Sequence, residues 1–438
     1  MTLSARKFIP LASSAGAAIV AAALALHPQQ AFAEPNSRSP LSQIGTLGTP
    51  ESESTAPAPS ASPTNEKAGG GWNAVTASPN LEAGGAIAYE LAVLATGVER
   101  GVQFGREPAD NGRVFVATAA GKIVEMDNPV SGDRTVLLDI GKKIVNDHEA
   151  GILGFAFDPK FEQTRKIFVH YIGKRSGSPL NRLSSFILDS KVGLINADTE
   201  EVLVDLPQPE PDHAGGQVLF GPDGMLYYGV GDGGGRSDPK RKGQSANDLY
   251  GAILRLDINE KPYLPPLDNP FVSNRDGMKE IWALGLRNPT SLSFDPNSRE
   301  LWAGDTGLGE FQEINLITAG GNYGWSVLDG SLCMALRFEC MNQKYIAPVF
   351  SYPSKTGASL VVGPVYQGLE HETLRGELIF LDRIQGTVWS MKRDSPPKVL
   401  LQTKRAISTI GTNIDGELLF ADFDRGEILK LRKSAGSQ

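Results

Sequence analysis

His213 stands in Pro211-Asp212-His213-Ala214-Gly215-Gly216, and Asp232 stands in Gly231-Asp232-Gly233-Gly234-Gly235. A histidine with a carboxylate nearby is the usual material of a general base. Between the two motifs, Leu219-Phe220 and Met225-Leu226-Tyr227-Tyr228 flank Pro222-Asp223-Gly224, the pattern of two antiparallel strands joined by a turn. A loop ending in Asp212-His213 can then hold an imidazole at the mouth of a sheet, and Asp232, closing the next strand, can return to the same mouth. Taken alone, the motif favours a plainer reading, a surface histidine between turn aspartates.

The elements that would position these groups repeat along the chain. Val114-Phe115-Val116, Ile167-Phe168-Val169, Leu226-Tyr227-Tyr228, Leu301-Trp302-Ala303, Leu378-Ile379-Phe380 and Leu418-Leu419-Phe420 are equivalent apolar triplets, most of them placed after a turn such as Asp295-Pro296-Asn297 or Asp415-Gly416. A returning strand follows each one, as in Lys122-Ile123-Val124-Glu125 or Thr387-Val388-Trp389-Ser390. Several are preceded by another apolar strand, such as Leu292-Ser293-Phe294. The unit is an antiparallel meander seen six times. A signature recurring at roughly 40–80 residues fits blades better than the single strands of a sandwich. The expected fold is all-β, a six-bladed β-propeller of four-stranded antiparallel blades over residues 85–433, closed by an early strand, 86–93, paired into the last blade. The triplets are read as the inner strands around a channel, and polar motifs that interrupt strand ends should converge at one mouth of it.

The remaining sequence sets the context. Arg6 and Lys7 precede an apolar run from Ala15 to Leu26, and Ala31-Phe32-Ala33 fits a small-x-small cleavage site, so residues 1–33 read as a secretory signal peptide and the product as exported. No other stretch approaches the ~18 apolar residues of a membrane span. Residues 34–84 are rich in Ser, Pro, Ala and Gly and read as a flexible tether, and 434–438 as a short tail. The net charge of -8, without a basic cluster, argues against a nucleic-acid partner. The two cysteines, Cys333 and Cys340, are expected to form one disulfide around a small loop.

Four further motifs carry polar groups beside apolar strands. These are Asn146-Asp147-His148-Glu149-Ala150-Gly151, Leu284-Gly285-Leu286-Arg287-Asn288-Pro289, Gly304-Asp305-Thr306-Gly307-Leu308 and Gly320-Gly321-Asn322-Tyr323-Gly324-Trp325. In this order, over most of residues 95–432, they resemble the glucose/sorbosone dehydrogenase family, whose best known members are soluble aldose dehydrogenases that use pyrroloquinoline quinone (PQQ). The resemblance implies the propeller fold and an oxidoreductase that oxidises an aldose or related sugar or polyol, passing electrons to an acceptor the sequence does not name. It implies His213 as the base that takes the sugar hydroxyl proton, Asp232 as the carboxylate that orients it, and Arg287 as the cation that stabilises charge on the reduced cofactor. It also implies Asn288, Thr306 and Arg383 as cofactor contacts, Glu149 and Asp212 as substrate contacts, and the carbonyls of Gly307 and Leu308 as ligands of a cofactor-bound Ca²⁺.

The chain departs from the family pattern at several positions. Glu149 replaces a glutamine near the sugar, Thr306 replaces a longer amide, and Arg383 stands for a lysine. A later arginine pair is not reproduced near Ile407-Ser408, although Lys404 and Arg405 are close by. A propeller that has lost PQQ and binds a sugar or protein, and a Ca²⁺-dependent propeller hydrolase, therefore stand as alternatives. Three other histidines have plainer readings: His148 as a loop residue beside the site, His170 as packed in a strand, and His371, between two glutamates, as a solvated loop. Arg287 alone is compatible with a blade-to-blade salt bridge, Asp305 with a turn cap, and Lys240-Arg241-Lys242 with an exposed charge run. Gly233-Gly234-Gly235 lacks the helix and Lys-Ser/Thr of a phosphate loop, which excludes nucleotide binding there.

Overall fold

The computed structural model describes residues 89–434 except 110–111, 127–133, 146–150, 276, 309–310, 343–344 and 354–358. The expected signal peptide and tether, the tail beyond residue 434, and Glu149 lie outside the described residues. Among the described residues no helix is long and apolar enough to cross a membrane.

Six four-stranded antiparallel sheets follow one another along the chain, each a simple meander. Blade 1 holds Gly101–Gly105, Val114–Thr118, Lys122–Met126 and Thr135–Asp139. Blade 2 is longer, with Ile152–Phe157, Lys166–Arg175, Ser178–Asp189 and Leu194–Pro207. Blade 3 comprises Val218–Phe220, Leu226–Val230, Ala252–Leu256 and Ile281–Leu284. Blade 4 comprises Pro289–Phe294, Leu301–Thr306, Phe311–Ile317 and, after a long connection, Phe350–Pro353. Blade 5 has Leu360–Val365, Leu378–Asp382, Thr387–Met391 and Lys398–Gln402. Blade 6 has Ile407–Thr412, Leu418–Asp422 and Glu427–Lys433, and its fourth strand is Tyr89–Thr96 from the start of the propeller, which pairs with Glu427–Lys433 and closes the ring. Of the expected closing strand, 86–93, the described residues from Tyr89 onward pair as expected and the pairing runs on to Thr96, while 86–88 lie outside the described residues.

All six triplets occupy the second strand of their blade, which corrects their assignment as inner strands. The first strand of each blade packs against the first strands of both neighbours, and this chain of contacts closes on itself. These strands therefore line the channel. The second strands are the more apolar and more completely buried, whereas the channel-lining first strands carry Gly, Ser, Thr and Gln, so the most apolar triplet marks the middle of a blade and not its inner edge.

Packing follows from strand geometry. Side chains alternate between the two faces of a strand, so each blade offers one apolar face to the blade before it and one to the blade after. Phe115 and Ala117 pack with Phe155 and Ile167 of blade 2, whereas Val114 and Val116 pack with Leu419 and Ile428 of blade 6. Leu226 and Tyr228 face blade 2, and Tyr227 faces blade 4. The blade 4–5 and blade 5–6 seams are built the same way around Phe380 and Phe420. Each such buried side chain contributes about 1.5–3 kcal/mol, distributed around the whole ring.

Strand direction fixes where loops emerge. In a meander, the loop entering the first strand and the loop leaving the second lie at the same end. His213 precedes the first strand of blade 3 and Asp232 follows its second. Arg287 and Asn288 precede the first strand of blade 4, Thr306 ends its second, and Gly307 and Leu308 follow. Arg383 follows the second strand of blade 5. The topology alone thus brings these residues to one mouth of the ring.

Candidate active site

His213 is held in a backbone conformation that few residues adopt. Its φ is 53°, in the left-handed region, where an L residue with a Cβ is strained. The surrounding loop is tied down on every side. Gly233 N–H donates to the His213 carbonyl (3.3 Å), and Gly216 N–H to Gly229 O (3.2 Å). Gln208 Nε2 donates to Glu210 O and Asp212 O (2.9 and 2.8 Å), and Gly215 N–H donates to Asn288 Oδ1 (2.9 Å). From blade 2, Asn181 Nδ2 reaches Ala214 O, and His170 Nδ1 lies 2.7 Å from Gly216 O. His170 is fully buried, as expected of a packed histidine, and it holds the loop that carries His213.

The His213 ring is 6% exposed as a residue and its Nδ1 lies 2.8 Å from Asp232 Oδ1. A carboxylate oxygen only accepts here, which assigns the proton to Nδ1 and the basic lone pair to Nε2. Nε2 is on the Asp212 side, 3.7 Å from Asp212 Oδ2. Asp232 also accepts from Gly234 N–H (3.0 Å) on Oδ1 and from Trp325 Nε1–H (2.8 Å) on Oδ2. One carboxylate thus fixes an imidazole, an indole and a glycine turn. Gly231 beside it has no room for a side chain, because a Cβ there would sit 1.9 Å from the His213 carbonyl oxygen. Gly231→Ala is expected to destabilise the protein by about 1–3 kcal/mol through that collision, measured as a lower denaturation midpoint at unchanged m-value.

Arg287 adjoins this set. Its carbonyl accepts from Asp232 N–H (2.9 Å), and its guanidinium lies 5.3 Å from the Trp325 ring centre. Nη1 donates to Thr306 O (3.0 Å) and Gly307 O (2.7 Å), while Nε is buried with no hydrogen-bond partner. The residue is 8% exposed. Its side chain thus bonds carbonyl oxygens rather than the carboxylate of a blade-to-blade salt bridge. The loop is shaped by Asp305, whose Oδ2 and Oδ1 accept from the backbone N–H groups of Arg287 (2.9 Å) and Asn288 (2.7 Å), so Asp305 does act as a cap. Burial raises the Asp305 carboxyl well above its usual range against those two bonds, and burial followed by the Asp305 field raises Glu313 behind it.

The structure therefore joins His213, Asp232, Arg287, Asn288, Thr306 and Gly307 in one hydrogen-bonded network, with Asp212 at its edge. Arg383 is at the same end but packs over the Phe423 ring (4.3 Å), with Arg100 on that ring too (5.2 Å). Arg405 is engaged by Asp422 (3.1 Å) and by Glu427. Cys333 and Cys340 are disulfide-bonded, as expected.

Three contributors were not assigned from sequence. Trp325 arrives on the long blade 4 connection, which the Leu284–Asn322 bridge lays beside the last strand of blade 3. Asn181 acts from blade 2. Lys242 belongs to the run read as exposed, yet it is half-buried, with Nζ 3.4 Å from the Tyr250 ring centre and next to Gly233. Burial lowers its ammonium pKa against the field of Asp248. Lys240 and Arg241 are exposed, as the run predicts.

Comparison with known proteins agrees with the propeller fold. HIPL1 protein of Arabidopsis thaliana is 28% identical over 353 residues, 65% of this chain and 51% of that protein. Quinoprotein glucose dehydrogenase B of Acinetobacter calcoaceticus is 33% identical over 242 residues, 50% of this chain and 49% of that protein. The chain spans about half or less of the length of these curated relatives. The PQQ-bound form of aldose sugar dehydrogenase from Streptomyces coelicolor shares the fold, with a TM-score of 0.62 at 21% identity over 80% of this chain and 99% of that one. Residues 103–429, from the first strand of blade 1 to the last blade, match the description Glucose / Sorbosone dehydrogenase, and the chain belongs to that family.

Proposed function

We propose that this chain is an exported quinoprotein that oxidises an aldose or related sugar or polyol at a hydroxyl-bearing carbon. The observation that carries the reading is the single network in which Asp232 orients both His213 and Trp325 while Arg287 lies against Trp325. His213 Nε2 accepts the proton of the substrate hydroxyl. The charge then gained by the imidazole is countered by Asp232 at 2.8 Å and by Asp212 at 3.7 Å. Asp212, together with Glu149, is assigned to the sugar hydroxyls.

The site's donors suit PQQ. Arg287 offers a fixed cation with a buried, unpartnered Nε, and Asn288 and Thr306 flank it. Arg383, beside Arg100, supplies further positive charge for cofactor carboxylates. When bound, PQQ supplies the two-electron acceptor for the oxidised carbon. Arg287 would hold the cofactor's oxygens beside a fixed positive charge, and this preorganised cation needs no proton transfer to do so. The carbonyls of Gly307 and Leu308 are hard donors suited to Ca²⁺, and a carbonyl has two lone pairs, so Gly307 can accept from Arg287 and still ligate.

Calorimetry of the purified chain with PQQ in Ca²⁺ buffer tests this reading. Micromolar or tighter binding is expected, weakened at least about tenfold by chelator, a loss of about 1.4 kcal/mol or more. The engagement of Arg405 by Asp422 and Glu427 favours the second reading, a propeller that binds a sugar or protein without cofactor. Absence of PQQ binding with and without Ca²⁺ would leave that reading standing and remove the first.

A further inference from the structure

We infer that Glu370, His371 and Glu417 form a metal site at the end of the ring opposite His213, suited to a divalent ion of the zinc type. Glu370 and His371 lie in the loop between the first two strands of blade 5, and Glu417 lies in the matching loop of blade 6, so both loops emerge at the far mouth. Each residue offers a ligand atom within 4.8 Å of the other two. His371 was expected to be solvated, but it is 4% exposed, its ring packed edge-on against Tyr89 (5.3 Å) and tilted on Tyr366 (6.0 Å). Its Nε2 is 3.3 Å from Leu431 O and is engaged as a donor. The proton therefore sits on Nε2, and Nδ1 carries a buried lone pair with no hydrogen-bond partner. A metal-bound histidine commonly has this form, one nitrogen donating to a carbonyl and the other left for the ion.

Glu417 is oriented in the same manner. It accepts from Tyr366 OH on Oε2 and from the N–H groups of Leu369 (2.7 Å) and Glu370 (3.0 Å) on Oε1. These donors hold its pKa low against burial. His371 N–H donates in turn to Tyr366 OH (3.1 Å), tying histidine and carboxylate to one hydroxyl. Glu370 is 52% exposed at its side chain and only loosely paired with Lys430 (3.9 Å), so it is able to swing inward. Zinc bonds of about 2.0–2.2 Å place tetrahedral ligand atoms about 3.4 Å apart. The present spread thus closes with a movement of roughly 1.4 Å or less, and a water completes the tetrahedron. Leu431 belongs to the strand that pairs with Tyr89–Thr96. An ion here would join blades 5 and 6 beside the seam that closes the ring.

Titration of the full chain with ZnCl₂, in buffer with excess Ca²⁺ to fill sites made of oxygen alone, decides the matter. One equivalent of zinc is expected to bind, raising Tm by on the order of 5 °C at a hundredfold excess over Kd. His371→Gln should abolish both effects. Glu370→Gln, at an exposed position that leaves the fold intact, should also remove stoichiometric binding. No zinc uptake by the parent chain, or an equivalent retained by either variant, overturns the inference.

Discussion

His213→Asn is expected to lower kcat of the PQQ- and Ca²⁺-loaded protein by about 10²–10⁴-fold, the usual contribution of a positioned general base, while leaving the fold and PQQ affinity in place. Asparagine is chosen for a structural reason. The φ of 53° at this position is strained for most residues, but asparagine tolerates it. The hydrogen bond from Gly233 N–H to the residue 213 carbonyl involves backbone alone and survives the change. The measurements are dye-linked kcat, Tm, and PQQ affinity by calorimetry. Loss of turnover with Tm and affinity near those of the parent separates chemistry from folding. Turnover within tenfold of the parent would remove His213 from its assigned role.

Asp232→Asn should be nearly as costly, by a different route. Asp232 accepts on both oxygens, from His213 Nδ1–H and Gly234 N–H on one side and from Trp325 Nε1–H on the other. An amide has one acceptor end. If its oxygen faces Trp325, its NH₂ faces His213 and drives the ring proton to Nε2, where the imidazole no longer accepts from substrate, and the part-buried Gly234 N–H is left opposite a donor. If its oxygen faces His213, the indole N–H is left opposite a donor. The first orientation is expected to reduce kcat by on the order of 10⁴-fold, as for other histidines forced into the wrong tautomer. The second costs about 1–3 kcal/mol of stability through an unsatisfied buried donor. Joint measurement of kcat and the denaturation midpoint shows which orientation wins: a fall in both marks the first, and a lower midpoint with kcat near that of the parent marks the second. A variant with both unchanged would show that the Asp232 bonds have no consequence for the site.

Much of the propeller is readable because each meander repeats the same order of apolar strand, turn and apolar strand. The six triplets and their returning strands all fall within the blades. The inner edge differs from the expectation because the most apolar triplets mark strands buried between blades, whereas the strands lining the channel carry polar positions such as Gln103, Ser291 and Thr409. Within the candidate site, His213 and Asp232 are legible because their loops interrupt strands at matching ends, and Arg287 through the family resemblance. Trp325 ends a distinctive motif, but nothing local signals its role, since a connection of about thirty residues carries it to Asp232, 93 positions away in sequence. His170 reaches Gly216 across 46 positions, and nothing local signals that bond. His371 departs from expectation for the opposite reason. Its glutamate neighbours suggested solvent, but Tyr89, from the far end of the folded chain, covers its ring.

The most direct measurement of the central claim is sugar-dependent dye reduction by the purified chain loaded with PQQ and Ca²⁺, assayed over a panel of aldoses after free cofactor is removed. Quinone absorbance retained on the protein, with turnover on at least one aldose that His213→Asn abolishes, is the expected result. Neither retained absorbance nor turnover on any aldose would contradict the assignment of His213, Asp232 and Arg287 to sugar oxidation.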